Sequence, residues 1–252
     1  MFKAIIATFT VDHTGDNSAD SVALRVESVR ERIANAARRA GRAPESVVLA
    51  AVSKRHPVAA VREAVAAGIR DFGENYVQEA QEKIAALGPV PGVRWHLIGG
   101  LQANKARAAV RCFDCVQTVD RPELATRLGR IAVEEGRVVA VLVEVDLVGA
   151  EGRSGVDPGG VAALCDHVAG VPGLVLEGLM GMAPPSADAE GARPWFARLR
   201  AEFEALPAEH RRVLSMGMSG DFEVAVEEGA TLVRVGTALF GARPRAMSGK
   251  AV

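Results

Sequence analysis

The sequence predicts a single eight-stranded (β/α)8 barrel, the TIM-barrel class, with an extra helix ahead of the first strand. Three observations predict it. Eight apolar runs of strand length alternate with segments of helical periodicity. The runs are near-continuous in apolar residues, as in parallel strands covered by helices on both faces. The length, 252 residues, fits one such barrel, for which roughly 250 residues is typical.

The elements follow in order. Val22, Val26, Val29, Ile33 and Ala36 recur at helical spacing, and Gly41 stops that helix. VVLAAVSK (47–54) is the first strand. Pro57 opens a helix carrying Val58, Val61 and Val65, which Gly68 ends. IRDFGEN (69–75) is the second strand, followed by a helix through Val77, Ala80, Ile84 and Leu87. VRWHLIG (93–99) is the third, with a helix from Gln102 to Arg111. FDCVQTV (113–119) is the fourth, and Asp120 is placed to cap a helix bearing Leu124, Leu128 and Ile131. RVVAVLVEVDL (137–147) is the fifth, and Asp157–Pro158 starts its helix. LVLEGLMGM (174–182) is the sixth, and Phe196, Leu199 and Phe203 mark its helix. RVLSMGM (212–218) is the seventh, with a helix beginning at Ser219 and running through Phe222 and Val226. TLVRVG (231–236) is the eighth, ending in a helical turn at TALFG (237–241).

The N-terminal helix supplies the outer layer that the last strand lacks. A doubly wound open sheet is the alternative, but no G-x-G-x-x-G or P-loop pattern follows any strand. The domain reading is a flexible extension at 1–18, one barrel at 19–243 and a flexible tail at 244–252.

Aromatics make up only 4% of the chain, so Ala, Val and Leu must build the core. The formal net charge is -1, which gives no electrostatic reason to expect a nucleic-acid or membrane partner. The opening apolar run is too short to span a bilayer. Three cysteines argue against a disulfide framework and suit a reducing cytosol. The Cys112-x-x-Cys115 pair lacks further ligands for zinc and enters a strand, so it reads as structural.

Barrel active sites sit at the C-terminal ends of the strands, and that rule selects candidates. Lys54 ends the first strand. A lysine there suits a Schiff-base amine, or a side chain snorkelling to solvent. Gly236 and Thr237 end the eighth strand and begin a short helix, and the seventh ends in Ser215-Met216-Gly217-Met218-Ser219-Gly220. Both loops offer hydroxyls and N–H groups for a phosphate, though Gly and Ser are also ordinary turn residues. Arg234 lies two residues before Gly236 and so faces the barrel interior. It could meet a ring nitrogen or pair with Glu144. Asn75, Tyr76, Gln102, Asn104 and Lys105 are further candidates for the mouth. His96 reads as a satisfied core residue. Met180, Met182, Met216 and Met218 are expected near the barrel top rather than on a metal.

The blocks AVSK (51–54), DFGENYVQEA (71–80), WHLIGGLQANK (95–105), GLMGMAP (178–184), LSMGMSGDFEVAVEEG (214–229) and RVGTALFGAR (234–243) carry a resemblance. The chain resembles the pyridoxal phosphate (PLP) homeostasis proteins, which look like the N-terminal barrel of alanine racemase standing alone. The resemblance implies PLP as cofactor, held as a Schiff base on Lys54. It implies a phosphate cradle of Ser219, Gly236 and Thr237, Arg234 facing the pyridine nitrogen, and Asn75 and Met218 at the pocket wall. Gly100 stands where many relatives have His, Arg55-His56 where Thr-Lys is usual, and Arg153 where Lys is common.

An arginine only donates, so it disfavours protonation of the ring nitrogen and weakens the cofactor as an electron sink. Alanine racemase also uses a second domain and a tyrosine from a partner subunit, whereas this chain ends just after its barrel and its only tyrosine is Tyr76. The expected role is therefore a cytoplasmic, monomeric PLP carrier that buffers the cofactor and delivers it to apo-enzymes, with indirect effects on amino- and keto-acid pools. A weak PLP-dependent amino-acid racemase and a cofactor-free Schiff-base aldolase are the alternatives.

Overall fold

Eight parallel strands pair in sequence order, and the eighth returns to the first to close a barrel in the computed structural model. The structure describes residues 21–149 and 154–242. The strands are β1 (Val48–Val52), β2 (Asp71–Glu74), β3 (Arg94–Leu97), β4 (Cys115–Val119), β5 (Val139–Val145), β6 (Leu174–Gly181), β7 (Val213–Ser215) and β8 (Leu232–Val235). Closure sets Val48 opposite Leu232 and Ala51 opposite Val235. The expected extension, the tail and Arg153 lie outside the described residues.

Helix α1 (Val22–Arg39) precedes the barrel, and Ser21 caps it by accepting from the Leu24 N–H. The outer ring continues with α2 (Val58–Ala66), α3 (Val77–Leu87), α4 (Ala106–Cys112), α5 (Pro122–Glu134), α6 (Val161–Ala169), α7 (Arg193–Glu204), α8 (Phe222–Glu227) and the single turn α9 (Thr237–Phe240). α1 packs on α2, α8 and α9, covering the β8–β1 seam as the sequence required.

Two expected helix starts move. Arg121, not Asp120, is the residue before α5, because Pro122 takes the first helical position, where it needs no N–H partner. Ser219 does not begin α8, which starts at Phe222. Asp221 closes a tight turn first, accepting the Met218 N–H at 2.6 Å through Oδ1. Strand seven also stops at Ser215 rather than Met218. Gly217 follows with φ +91°, and a Cβ there would stand 2.5 Å from Ala225 Cβ.

Alternation along the strands separates two layers. Leu49, Phe72, Trp95, Val116, Val141, Leu179, Leu214 and Val233 face the helices and build the main core. The lumen side holds a small apolar cluster of Cys115, Leu142 and Met180. Ala50, Val52 and Leu232 are buried on the lumen side as well, beside the polar His96, Gln117, Glu144, Ser215 and Arg234. A lumen so polar departs from the branched aliphatic layers usual in such barrels.

Candidate functional site

At the C-terminal ends of the strands lies a cavity of about 390 Å³. Its wall brings together Lys54, Asn75, Met218, Ser219, Arg234, Gly236 and Thr237, every residue the sequence singled out for the cofactor. Tyr76, Gln102, Asn104 and Lys105 do not line it, and Tyr76 is half exposed on the rim of β2. Met182 and Met218 line the wall, while Met180 and Met216 are buried below.

Lys54 sits two residues past β1 in a turn held from behind. Ser53 Oγ donates to Glu74 Oε1 at 2.6 Å. Lys83 Nζ donates to the Ser53 carbonyl at 2.5 Å and to Glu74 and Glu79 carboxylates, each at 2.7 Å. The Arg55 N–H donates to Glu79 Oε1. Both neighbours of Lys54 are thus fastened to one buried charge cluster between β2 and α3. Glu74 is fully buried, and desolvation raises its carboxyl pKa, opposed by the hydrogen bonds from Lys83 and Ser53. Arg55 carries φ +63°, a conformation unusual for a residue with a side chain.

The β7 and β8 loops meet through Ser219. Its Oγ accepts from the backbone N–H of Gly236 at 3.3 Å and of Ala238 at 3.2 Å. A hydroxyl oxygen therefore stands at the converging N–H groups that open α9. Gly236 has a packing reason too. A Cβ there would approach the Val52 carbonyl oxygen to 3.2 Å.

Arg234 is buried beneath this rim. Its Nη1 donates to Ser215 Oγ at 2.6 Å and Nη2 to the Gly181 carbonyl at 3.0 Å. Burial lowers the guanidinium pKa to about 10, with Glu144 and Asp221 opposing, so it remains a cation at neutral pH. No ion pair joins it to Glu144. Glu144 is itself buried, and one oxygen, Oε2, has no hydrogen-bond partner. Desolvation, then repulsion from Asp120, pushes its carboxyl up to about 7 despite Arg234. Asn75 offers a second such acceptor, Oδ1. Gly99 fixes Asn75 by close approach, since a Cβ at 99 would fall 2.4 Å from the Asn75 carbonyl oxygen.

A scan of protein-family models matches residues 24–244 to the alanine racemase N-terminal domain. A curated relative from Pseudomonas aeruginosa is 46% identical over 223 residues, covering 88% of this chain and 96% of its own length; it is named pyridoxal phosphate homeostasis protein. This chain belongs to that family.

A relative of the same name from Escherichia coli K12 is 40% identical over 229 residues, covering 89% of this chain and 97% of its own. Among solved structures, PipY of Synechococcus elongatus, determined with PLP bound, is 44% identical with TM-score 0.77. The alignment covers 87% of this chain and all of PipY. An alanine racemase from Clostridium difficile shares the fold at 15% identity and TM-score 0.68, covering 89% of this chain and 57% of that one.

Sequence reasoning missed some members of the site and named two others, His56 and Gly100, only as departures from relatives. His56 lines the cavity, with its ring centroid 5.1 Å from that of Phe240. Gly99, Asp146 and Ser154 also belong to the wall. Gly100 is there as well, and a Cβ on it would meet only Ser154 Oγ, at 3.9 Å, so a side chain is sterically allowed. The Cys-x-x-Cys pair lies away from the cavity. Burial pushes the Cys112 thiol up to about 12 and Cys115 upward as well, which leaves both poor nucleophiles. Among the described residues no helix is long and apolar enough to cross a membrane, and no cluster of His, Cys, Asp and Glu could hold a metal ion.

Proposed function

We propose that this chain binds pyridoxal 5'-phosphate in the barrel-mouth cavity and serves PLP homeostasis by storing the cofactor and passing it to apo-enzymes. One observation carries the reading: a primary amine (Lys54), a buried cation (Arg234) and a hydroxyl-and-amide cradle (Ser219, Gly236, Thr237) line one concavity. That donor set fits an aldehyde, a ring acceptor and a phosphate. The names of the relatives and the PLP-bound PipY structure support it.

When bound, PLP supplies an aldehyde that condenses with a primary amine. Lys54 is the amine assigned to hold it. Ser219, Gly236 and Thr237 bind the phosphate through a hydroxyl and backbone N–H groups. Arg234 would donate toward the ring nitrogen, Asn75 would offer its amide at the wall, and Met218 would give an apolar flank. Storage is favoured over turnover because the chain's only tyrosine lies off the cavity and the cation at Arg234 opposes protonation of the ring nitrogen. The protein is assigned to the cytoplasm as a monomer.

The visible spectrum of wild type against Lys54→Ala tests the site. Wild type loaded with PLP should absorb in the visible and, after borohydride, retain the cofactor covalently by intact mass. Lys54→Ala should show neither. A mutant that keeps the borohydride-fixed adduct at wild-type stoichiometry would remove Lys54 from the site.

A further inference from the structure

A chain of hydrogen bonds runs through the barrel lumen from the cavity to the opposite end. Arg234 Nη1 donates to Ser215 Oγ at 2.6 Å. Ser215 Oγ donates to Gln117 Oε1 at 2.7 Å. Gln117 Nε2 lies 3.0 Å from His96 Nδ1, and His96 Nε2 lies 2.9 Å from Asp71 Oδ1. Asp71 is the first residue of β2 and borders a second, smaller cavity of about 140 Å³ at the barrel floor, with His96, Gln117, Arg94 and Glu177.

The donors point one way. Ser215 Oγ accepts a hydrogen bond from the guanidinium, so its own O–H must donate to Gln117 Oε1. The Gln117 amide then presents N–H to His96 Nδ1. That nitrogen must be the acceptor, which puts the imidazole proton on Nε2, facing the Asp71 carboxylate. Turning the amide over would bring two donors onto Ser215 Oγ and leave its hydroxyl proton without the acceptor it has among the described residues. The arrangement seen satisfies every member.

The geometry points to Ser215, Gln117, His96 and Asp71 as positioning residues that fix Arg234 at the cofactor cavity, with the floor carboxylate as the terminal acceptor of the relay. This rests on the PLP reading above and deepens it. A guanidinium has many rotamers, and a buried one that must present a chosen edge to a ligand needs its other edge anchored. Ser215 and the Gly181 carbonyl anchor it directly. The relay makes Ser215 an acceptor with its lone pairs held toward Arg234, and donors in series polarise one another.

The test uses the full chain with Gln117→Leu and Asp71→Asn, each alone and in an Arg234→Gln background. PLP affinity and the absorption maximum of the bound cofactor are the readouts. Gln117→Leu should weaken PLP binding by about 5- to 10-fold, the size of one lost buried hydrogen bond, and shift the maximum. In the Arg234→Gln background the same change should have almost no effect. Asp71→Asn keeps the shape and an acceptor but removes the charge. A shift of the maximum from the far end of the barrel is what a merely structural role would not produce, and this variant decides the matter if Gln117→Leu does not fold. Equal losses in both backgrounds, or an unmoved maximum in Asp71→Asn, would overturn the relay. The ring nitrogen NMR shifts of His96 without cofactor give an independent reading: the Nε2–H tautomer is expected, and the Nδ1–H tautomer would sink the relay. A wild type that binds no PLP while His96 keeps the Nε2–H tautomer would refute the cofactor reading alone.

Discussion

The polar network behind Lys54 keeps its charges in contact, whereas the network beneath Arg234 keeps them apart. Behind Lys54, one ammonium, Lys83, touches two carboxylates at 2.7 Å each, outside the strands and under α3. Beneath Arg234, a cation and an anion stand at opposite ends of three neutral groups inside the lumen. The first arrangement suits a backbone that must be clamped locally. The second suits a side chain that must be aimed across the barrel. The difference also sets what each network costs to break. A shared cation leaves bare charges when it is lost, while a neutral link leaves only an unmet hydrogen bond.

The largest expected effect follows from that asymmetry. Lys83→Met should strand Glu74 and Glu79 against an apolar wall. Removing one partner of a buried ion pair costs about 3–5 kcal/mol, which for a chain of this size lowers Tm by roughly 10 °C. Gln117→Leu should cost about 1–2 kcal/mol. Thermal unfolding of the two variants without cofactor measures the contrast. Equal losses would mean that the two networks are held by the same kind of force.

Next in size is a pH effect from the lumen carboxyl that joins neither network. Glu144 is held protonated up to about pH 7, against 4.5 for a model carboxyl. Between those values the folded chain binds more protons than the unfolded chain. Stability therefore falls as pH rises from about 4.5 to 7 and levels off above. At 1.36 kcal/mol per pH unit the span amounts to roughly 3 kcal/mol at most. Glu144→Gln has no proton to lose, so its stability should fall less over this range. Denaturant unfolding at pH 4.5, 6 and 7.5 gives the comparison. A wild-type-like slope in the variant would place the proton elsewhere.

The two networks differed in how far the sequence revealed them. Lys54 and Arg234 were legible because strand ends and strand alternation select positions one at a time. The clamp was not. Lys83 lies in a helix whose apolar face reads Val77, Ala80, Ile84 and Leu87. Position 83 falls on that face, three residues after Ala80, but a lysine there reads as solvated unless its acceptors are known. Those acceptors sit on β2 and one turn earlier on α3, and only packing joins them. The relay was half legible. Alternation puts His96, Gln117, Ser215 and Arg234 on the lumen side, but their relative heights depend on strand stagger, which sequence does not encode locally. Ser219 lines the cavity but does not begin the helix, because the Asp221–Met218 turn that precedes α8 looks like a helix start in one dimension.

The smallest effect tests whether the clamp holds strain beside Lys54. Arg55 has φ +63°, with its N–H given to Glu79 and the next N–H, of His56, given to the Ser53 carbonyl at 3.0 Å. A side chain in this region costs about 1–2 kcal/mol. Glycine escapes that cost but loses about 0.5–1 kcal/mol through the greater freedom of the unfolded chain. Arg55→Gly should therefore sit within about 1 kcal/mol of wild type in either direction. Arg55→Ala keeps the Cβ and the strain, so the glycine variant should exceed it by about 1 kcal/mol, or 2–4 °C in Tm. The difference between the two variants cancels whatever the arginine side chain contributes. Equal Tm values would show that residue 55 is not held left-handed in solution. The clamp would then bind the turn without straining it, and the contrast with the lumen network would narrow to charge contact alone.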